Sequence, residues 1–531
     1  MPRKLSSARS RPRAVVECCV YVLLAAGAMQ TWFLEGLVVP CRVTGGSMAE
    51  TLLGVHREVV CADCGYPFLC GSDAGPVPPR AACPNCGYAD NHLEPRPELR
   101  GDGTLIDRVS FAVRGPRRWE IVAFRRAGQA DEVAVKRVVG LPGEMLQIRH
   151  GDVYADGRLQ RKTLAEQRAL ALLVHDANYE PMLPPLPPSR WRAETIGAPG
   201  DCGAGVSPAS KNCRRDARTT STESRWSAAG GRFSHPATPE NDGVDWLAYH
   251  HWRRLPVGQA FLPAQESAER QTGMSAPPRV PPRVPPRAPS NNTTVEYRES
   301  PVTDLCGYNP SQPRREEDVH PVSDLLLSLR LVETFGQGVL VLRASDGSAE
   351  FQTQLQFDVE PPRYAVLQHG RPIPGAAGRI PLSSGGQTVE VSLIDRQFLL
   401  AFDGTTVVAW PYSRPEPAPT PPASPLAIGV KGLGVVLGDV KIYRDVYYTH
   451  PIGPEARWGL AEPVRLADHE YFVLGDNSPV SEDSRTWPER GAVDAKLLVG
   501  KPLAVLYPAQ DVEWGQWHFQ VPNPGRMRYI R

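Results

Sequence analysis

The 531-residue sequence lacks a surplus of charge of either sign, because 59 Lys and Arg residues face 58 Asp and Glu residues. This balance gives no indication of nucleic-acid binding or of an acidic tail. The sequence also lacks the HExxH and GxxxxGK[ST] motifs, so metalloprotease and nucleotide-binding functions find no support. Eleven cysteines are too few for a disulfide scaffold, and their odd number leaves at least one unpaired within the chain.

Proline is abundant instead, at 55 residues, about double the usual share of roughly 5%. The length predicts about three to four folding units at roughly 150 residues each. Proline-rich stretches at 181–188, 277–289 and 414–425 are interpreted as connectors, the second as a polyproline II spacer. The sequence therefore predicts ordered domains joined by proline-rich segments.

The N-terminal apolar segment, residues 18–34, carries no charge but is short for a bilayer span, which needs about 20 residues and at least about 17. A basic stretch without acidic residues precedes it. A retained anchor is favoured because no small-x-small site follows, while a cleaved secretion signal and a buried helix remain alternatives. By the positive-inside rule, a single-pass anchor in the inner membrane leaves the N-terminus cytoplasmic and the chain after about residue 40 outside.

Two polar residues stand out in glycine-rich or apolar surroundings. Ser47 follows a Gly-Gly pair in VTGGSMAETL, where glycine permits the close approach of a peptide and leaves amide donors beside the hydroxyl. Lys136 lies in the β-branched run VAVKRVVG, and strand alternation turns it to the face opposite Arg137. Taken singly, the serine has the ordinary explanation of a loop residue and the lysine that of an edge-strand residue.

A third motif, YFVLGDNSPVSEDSRTW at 471–487, predicts a strand that leads into a turn rich in small hydrogen-bonding side chains. Together with the apolar segment, RWEIVAFR, VKRVVGLPGE and LLVGKPLAVLYP, these motifs occur in an order that resembles type I signal peptidases, membrane-bound serine proteases that remove secretion signals. The resemblance implies a Ser/Lys dyad with Ser47 as nucleophile and Lys136 as general base.

The resemblance also implies supporting roles. Ser481 would orient the Lys136 amine, and the Ser47 backbone amide would donate to the oxyanion. The other implied residues form a structural ion pair, a loop near the dyad and a substrate-binding edge: Asp483 and Arg485; Gly475, Asp476 and Asn477; and Arg42, Val43, Thr44, Gly45 and Gly46. A lysine is a base only when neutral, so burial must lower its pKa from about 10.4 by about three units, or about 4 kcal/mol.

The expected substrates are signal peptides with small residues in an A-x-A-like arrangement before the cleaved bond, added as an extended strand to that edge. Catalysis would need no cofactor. The sequence departs from the family pattern at Glu50, where proline is common, at Ser478, where a basic residue is frequent, and at Pro488, where glycine is usual. These departures concern the shape of the cleft rather than the class of reaction.

Four cysteines are arranged as two C-x2-C pairs, CADC at 61–64 and CPNC at 83–86, and Gly-Tyr follows each pair. This spacing matches a structural zinc ribbon in which Cys61, Cys64, Cys83 and Cys86 close a tetrahedral site. Two disulfides are the alternative, since the segment is expected outside the cytoplasm. In either case no catalytic role is predicted for the cluster.

A β-rich block from about 321 to 447 contains alternating strands and is similar in pattern to concanavalin-like or laminin-G-like sandwiches. Such a sandwich is expected either to bind a carbohydrate or protein ligand or to serve as a structural insertion, because fold alone does not give function. His250 and His251 are interpreted as packing or surface residues rather than ligands.

The predicted fold class is therefore mainly β: an N-terminal transmembrane helix and a signal-peptidase-type β domain interrupted by a zinc ribbon and a large sandwich. The predicted segments are a basic tail (1–13), an anchor (14–39), three catalytic parts (40–60, 99–175 and 451–531), the ribbon (61–98), an irregular linker that can hold early sandwich strands (176–300) and the sandwich (301–450).

The predicted function is a membrane-bound signal peptidase I whose partners are signal peptides and the lipid bilayer, with no nucleic acid. The alternative is an inactive, membrane-tethered binding protein that displays the sandwich. A Ser/Lys autoprotease of the repressor type is a third option, but no DNA-binding domain precedes the serine.

Overall fold

A computed structural model describes most of the chain. The described residues are 11–30, 37–72, 78–94, 96–126, 129–194, 225–238, 243–256, 295–309, 319–383, 385–449, 458–460, 462–487, 491–514 and 517–530. Most of the predicted basic tail, the polyproline stretch 277–289 and Pro488 lie outside these residues.

Strands dominate the structure, as predicted from the short β-branched runs. The helices are α1 (Arg11–Ala28), α2 (Ser110–Val113) and α3 (Leu164–Leu170). The strands, in chain order, are β1 (Val38–Arg42), β2 (His56–Val60), β3 (Pro67–Gly71), β4 (Arg80–Ala81), β5 (Asn91–His92), β6 (Gly103–Asp107), β7 (Ile121–Arg126), β8 (Gln129–Gly140), β9 (Met145–Arg149), β10 (Asp152–Ala155), β11 (Arg158–Leu159), β12 (Leu172–Asp176), β13 (Trp191–Glu194), β14 (Ser227–Ala229), β15 (Arg232–His235), β16 (Asp245–Tyr249), β17 (Trp252–Pro256), β18 (Val295–Glu299), β19 (Leu325–Phe335), β20 (Val339–Ser345), β21 (Glu350–Gln356), β22 (Arg363–Gln368), β23 (Arg371–Arg379), β24 (Gln387–Ile394), β25 (Gln397–Phe402), β26 (Thr405–Pro411), β27 (Leu426–Lys431), β28 (Gly434–Arg444), β29 (Val464–Arg465), β30 (Glu470–Leu474), β31 (Val493–Asp494), β32 (Leu498–Tyr507), β33 (Ala509–Trp514), β34 (Trp517–Pro522) and β35 (Arg528–Tyr529).

The sheet that carries the predicted catalytic motifs has the strand order β1-β6-β32-β7-β8-β30-β31, and β35 also pairs with β32. A second sheet has four strands in the order β11-β10-β9-β29. Three of these strands directly follow β8 in the chain, and β29 directly precedes β30. Strands that are neighbours here are far apart in the chain: Val138 on β8 is opposite Val473 on β30. Val122, Phe124, Val138 and Val473 pack together in one buried cluster, so apolar side chains from distant segments hold this sheet together.

Helix α1 covers the first part of the predicted anchor. Over the part of the chain that the structure describes, no helix is both long enough and apolar enough to cross a membrane. The anchor and its orientation therefore stay predictions.

The four cysteines lie in a small unit built on two hairpins, β2 with β3 and β4 with β5, and this unit is called the ribbon below. Val59, Phe68 and Leu93 surround the cysteines in a buried apolar cluster.

Two large antiparallel sheets form the sandwich. One has the order β14-β15-β28-β19-β24-β25-β26, with β12 also paired to β28, and the other has the order β13-β16-β27-β20-β21-β22-β23. Their inner faces share one large apolar core that includes Leu327, Phe351, Phe398 and Ile442. The sheets contain strands that precede residue 301, beginning with β12, which pairs Leu172 with Arg444. These early strands are too short to show a clear alternation in sequence.

Polar contacts join the sandwich to the catalytic sheets. Lys162 donates to Asp395 and Asp445 at 2.8 Å each, and its ammonium lies 4.6 Å from the centre of the Trp119 ring. Because Lys162 is buried, its two carboxylate partners offset the cost of removing its charge from water. His250 contacts Glu194 at 2.8 Å within the sandwich region.

Candidate active site

Ser47 lies in a single 3-10 turn, Gly46–Met48, a few residues after β1. This segment is called the serine turn. The chain before the turn is fixed by a hydrogen bond from Val43 N to the Asp102 carbonyl at 2.8 Å. Met48 is buried in a cluster that also contacts Val135, the residue before the predicted base. Packing therefore holds the serine turn against strand β8.

Lys136 lies on β8 and is only 4% exposed. Its amine donates a hydrogen bond to Ser481 Oγ at 2.9 Å. Burial lowers the pKa of Lys136 to about 8, while the nearby Asp483 carboxylate raises it and Arg485 and Arg126 lower it. Lys136 is thus buried, with Ser481 and the Asp483 and Arg485 charges near its amine.

Gly475 allows the serine turn and Ser481 to approach each other closely. A Cβ atom at this position would overlap both Ser481 Oγ and the carbonyl oxygen of Ser47. Both groups therefore lie in the space that a side chain at 475 would fill, and one of them, Ser481 Oγ, accepts from Lys136. Glycine is needed here because the approach leaves no room for a side chain.

Asp483 and Arg485 form a fully buried ion pair. Arg485 Nη2 and Nε contact the two carboxylate oxygens at 2.7 and 2.9 Å. Burial raises the pKa of Asp483, but the Arg485 guanidinium outweighs this effect and holds the pKa below its usual range. The same carboxylate accepts from Gly475 N at 3.0 Å, and Arg485 donates to Ser478 Oγ at 2.9 Å. The pair thus fixes both ends of the loop that carries Ser481.

Arg137 points away from Lys136, as strand alternation predicted, and makes a two-point contact with Asp476 at 2.6 and 2.7 Å. Both side chains are buried. Thr51, just after the serine turn, also donates to Asp476 at 2.5 Å. Arg137 and Thr51 are not among the site residues predicted from the sequence, although two adjacent cations on β8 indicate that one of them needs a buried partner.

Asn477 holds the serine turn directly. Its backbone N–H donates to the Ser47 carbonyl, and its side-chain amide donates to the Gly46 carbonyl, both at 3.0 Å. The same side chain exchanges two hydrogen bonds with Asn309, at 2.7 and 2.8 Å. The sequence does not predict the contact with Asn309, since no motif connects this residue to the loop at 475–487.

The segment predicted to bind substrate is partly accessible. Arg42, Thr44 and Gly45 are exposed, whereas Val43 and Gly46 are buried. Thr44 already accepts a backbone hydrogen bond from Val55 at 3.2 Å. The exposed backbone at 44–45 is therefore the portion with room for an added strand.

The structure describes two of the three positions at which the sequence departs from the family pattern, Glu50 and Ser478. Glu50 is exposed. Ser478 is buried, and its hydroxyl accepts from Thr449 N at 3.0 Å and from Arg485 at 2.9 Å. A small hydroxyl at 478 thus supports the buried ion pair, which a longer basic side chain could not do in the same space.

The four cysteine sulfurs all lie within 4.8 Å of one another. Cys61 Sγ is 3.6 Å from Cys86 Sγ, and Cys64 Sγ is 3.8 Å from Cys83 Sγ. These separations exceed the S–S bond length of about 2.05 Å, and the cysteines are free thiols. A tetrahedral ion with Zn–S bonds of about 2.3 Å places its sulfurs about 3.8 Å apart, so the cluster could hold such an ion.

Residues inside the two C-x2-C pairs attach the ribbon to the chain that begins the sandwich. Asp63 accepts from the backbone of Met182 and Leu183 at 2.9 and 2.8 Å. Asn85 accepts from Asp176 N at 2.8 Å. These two side chains therefore attach the ribbon to residues 176–183, the segment that begins at the end of β12.

The model of the family described as signal peptidase, peptidase S26, matches residues 13–187 and 449–507. The gap between the two matched ranges contains most strands of the sandwich. This match confirms the predicted resemblance to type I signal peptidases, with the four-cysteine cluster and the sandwich sheets as additional parts.

A probable signal peptidase I-2 of Synechocystis is 32% identical to the chain over 72 residues, which is 13% of this chain. The chain spans about a third of the length of this curated relative, with 33% covered. The two sequence matches support a signal peptidase function and serine peptidase chemistry, and neither supports an inactive binding protein.

Among solved structures, the galectin LEC-6 of Caenorhabditis elegans is 14% identical, with 22% of this chain and 81% of that chain covered and a TM-score of 0.17. The carbohydrate-binding module CBM66 of Bacillus subtilis is 11% identical, with 22% and 74% covered and a TM-score of 0.18. Similarities with such low scores do not identify a ligand, so a ligand of the sandwich stays a prediction.

Proposed function

We propose that the protein is an active signal peptidase I that cleaves exported preproteins with a Ser47/Lys136 dyad. One observation carries the proposal: Lys136 is buried next to the serine turn, and its amine is held by Ser481 at 2.9 Å. A buried lysine without a carboxylate partner at hydrogen-bonding distance is costly to keep charged. That cost favours the neutral amine that a general base requires.

In the proposed mechanism Ser47 Oγ attacks the scissile carbonyl carbon while the neutral Lys136 amine takes the hydroxyl proton. Ser481 orients the amine by its hydrogen bond. The Ser47 backbone N–H donates to the developing oxyanion. Lys136 then returns the proton to the leaving amine, and water completes hydrolysis of the acyl-enzyme in the same way.

The proposed substrate is an extended signal peptide whose small residues lie along the exposed backbone at 44–45. The membrane anchor proposed for the N-terminal segment would place this edge at the bilayer surface.

The proposed function is tested with purified full-length protein in detergent and a preprotein that has an Ala-x-Ala cleavage site. Mass spectrometry is expected to find a single cleavage, directly after the second alanine, that releases the signal peptide from the mature protein. A matched preprotein with tryptophan at that alanine is expected to stay intact, because a pocket for small side chains excludes an indole. No cleavage of either substrate, or equal cleavage of both, would contradict the proposal.

The rate of cleavage is expected to rise with pH through a midpoint near the Lys136 pKa of about 8. Only the neutral amine is active, so kcat/KM should increase about tenfold between pH 7 and pH 9. Arg126→Gln removes a positive charge that lowers this pKa and should move the midpoint upward, whereas Lys496→Gln, an exposed lysine paired with Asp494, should not. A wild-type midpoint above about 10 would exclude a depressed lysine pKa.

We also propose that the four cysteines bind a structural zinc ion. Zinc would hold the two hairpins of the ribbon together, and all four thiolates would be used, which leaves no site for a catalytic water. Elemental analysis is expected to find about one zinc per chain, and Cys83→Ser should lower both the zinc content and the unfolding temperature, by more than about 10 °C. Cys41→Ser, outside the cluster, is the control, and a zinc-free wild type with no titratable thiols in the ribbon would favour disulfides instead.

A further inference from the structure

A segment of the inserted region, residues 302–309, runs from the sandwich to the serine turn and is called the bridging segment. Tyr308 is 1% exposed and packs with Ala49 and Leu53, the residues that follow Ser47. Its carbonyl accepts from Gly71 N on the ribbon at 2.8 Å. The bridging segment therefore contacts the catalytic chain and the ribbon at the same place.

The bridging segment ends at Asn309, which pairs with Asn477 through both side-chain amides. Asn309 Nδ2 donates to Asn477 Oδ1 at 2.7 Å, and Asn477 Nδ2 donates to Asn309 Oδ1 at 2.8 Å. The second amide hydrogen of Asn477 is used for the Gly46 carbonyl at 3.0 Å. Every hydrogen-bonding atom of the Asn477 amide group thus has a partner, and two of its three bonds come from Asn309.

The Gly46 carbonyl determines which way the Asn477 amide faces. If the amide turned over, its oxygen would face the Gly46 carbonyl oxygen, and two acceptors would be opposed. The two bonds to Asn309 add to the Gly46 contact and restrict movement of the Asn477 side chain. The side chain that holds the serine turn is therefore itself held in place by a residue of the insertion.

The other end of the bridging segment is fixed to the sandwich. The buried Arg444, at the end of β28, donates to the carbonyl oxygens of Asp304 and Leu305 at 3.2 and 3.0 Å. Val322 N donates to the Val302 carbonyl at 2.8 Å. The position of Asn309 consequently depends on the sandwich and not on the catalytic sheet alone.

We propose that Asn309 is a positioning residue for the catalytic serine, acting through Asn477. The inference rests on the proposed peptidase function. Asn309 holds the Asn477 amide in place, and Asn477 holds the Gly46 and Ser47 carbonyls, so the position of the serine turn depends on the inserted segment. The sandwich is then a part of the catalytic apparatus rather than an appended module.

A double-mutant cycle in the full-length protein tests the inference. Asn309→Ala and Asn477→Ala are each expected to lower kcat for preprotein cleavage by about 10-fold to 100-fold, since misplaced reacting atoms cost rate steeply. The double variant should be no slower than Asn477→Ala within about twofold, because Asn309 acts only through Asn477. KM and the pH midpoint should not change, since Asn309 contacts neither the 44–45 backbone nor Lys136.

Gln337→Ala, which truncates an exposed amide elsewhere in the sandwich, is the matched control and should retain the wild-type kcat. Losses that multiply in the double variant, or an unchanged kcat in Asn309→Ala, would overturn the inference. Because wild-type cleavage is measured in the same assay, failure of the peptidase proposal appears separately as an inactive wild type.

Hydrogen exchange gives a second readout that does not depend on activity. The backbone N–H of Asn477 donates to the Ser47 carbonyl, and the backbone N–H of Ala49 donates to the Gly46 carbonyl. The exchange rates of these two backbone amides therefore report on the serine turn. Asn309→Ala should speed exchange at both amides by about tenfold while leaving the ribbon amide of Gly65, bonded to Cys61, unchanged. Equal exchange in wild type and variant would show that Asn309 does not order the turn.

Discussion

Ser47→Ala and Lys136→Met are each expected to lower kcat/KM for preprotein cleavage by at least about 10³-fold. The first substitution removes the proposed nucleophile and the second removes the proposed base that takes its proton. The double variant should be no slower than either single variant, because two residues that act as a unit lose their shared contribution once. The measurement is initial cleavage rate at pH 9, where the wild-type amine is largely neutral.

Two matched substitutions control for indirect effects of these changes. Ser348→Ala alters a serine on the sandwich, and Lys496→Met alters a lysine that is 77% exposed. Both should retain wild-type activity, and Lys496→Met should also keep the wild-type unfolding temperature. Full activity in Lys136→Met would show that another base serves Ser47, and full activity in Ser47→Ala would end the case for this nucleophile.

Asp483→Asn is expected to destabilise the catalytic sheet by about 3–5 kcal/mol, because it leaves the Arg485 charge buried without its partner. For a unit of this size the loss corresponds to a fall of at least about 6 °C in unfolding temperature. Differential scanning calorimetry should show the fall in the transition of the catalytic sheet. The transition of the sandwich should not change, since the sandwich has its own apolar core.

Glu482→Gln is the matched control, because it removes a negative charge at the position next to Asp483. It is 77% exposed and lies 3.9 Å from Arg126, so Glu482→Gln should change stability by no more than about 1 kcal/mol. If Asp483→Asn and Glu482→Gln had the same small effect, the buried ion pair would not be the element that fixes the loop.

The sequence predicted the parts of the site that lie within local motifs. Ser47 after two glycines, Lys136 within valines and the small residues at 475–485 each have a chemical signature that is visible without the fold. The alternation rule also placed Lys136 and Arg137 on opposite faces, and their different partners, Ser481 and Asp476, follow from it.

Contacts made across the insertions could not be predicted in this way. Asn309 is 168 residues from Asn477, and nothing near either residue specifies the pairing. The beginning of the sandwich was similarly hidden, because β12 has five residues and its partner β28 lies beyond the proline-rich linkers. Such contacts depend on how complete units dock, and a short sequence pattern does not encode docking.

The distance along the chain between Lys136 and Ser481, 345 residues, has a consequence for the order of events during synthesis. At about 5–20 residues per second, Ser481 leaves the ribosome about 17–70 s after Lys136. The sandwich core is complete within that interval, whereas one edge of β8 waits for its partner. Under the proposed mechanism, Lys136 of a nascent chain therefore lacks the hydroxyl that orients its amine until the loop that carries Ser481 has emerged.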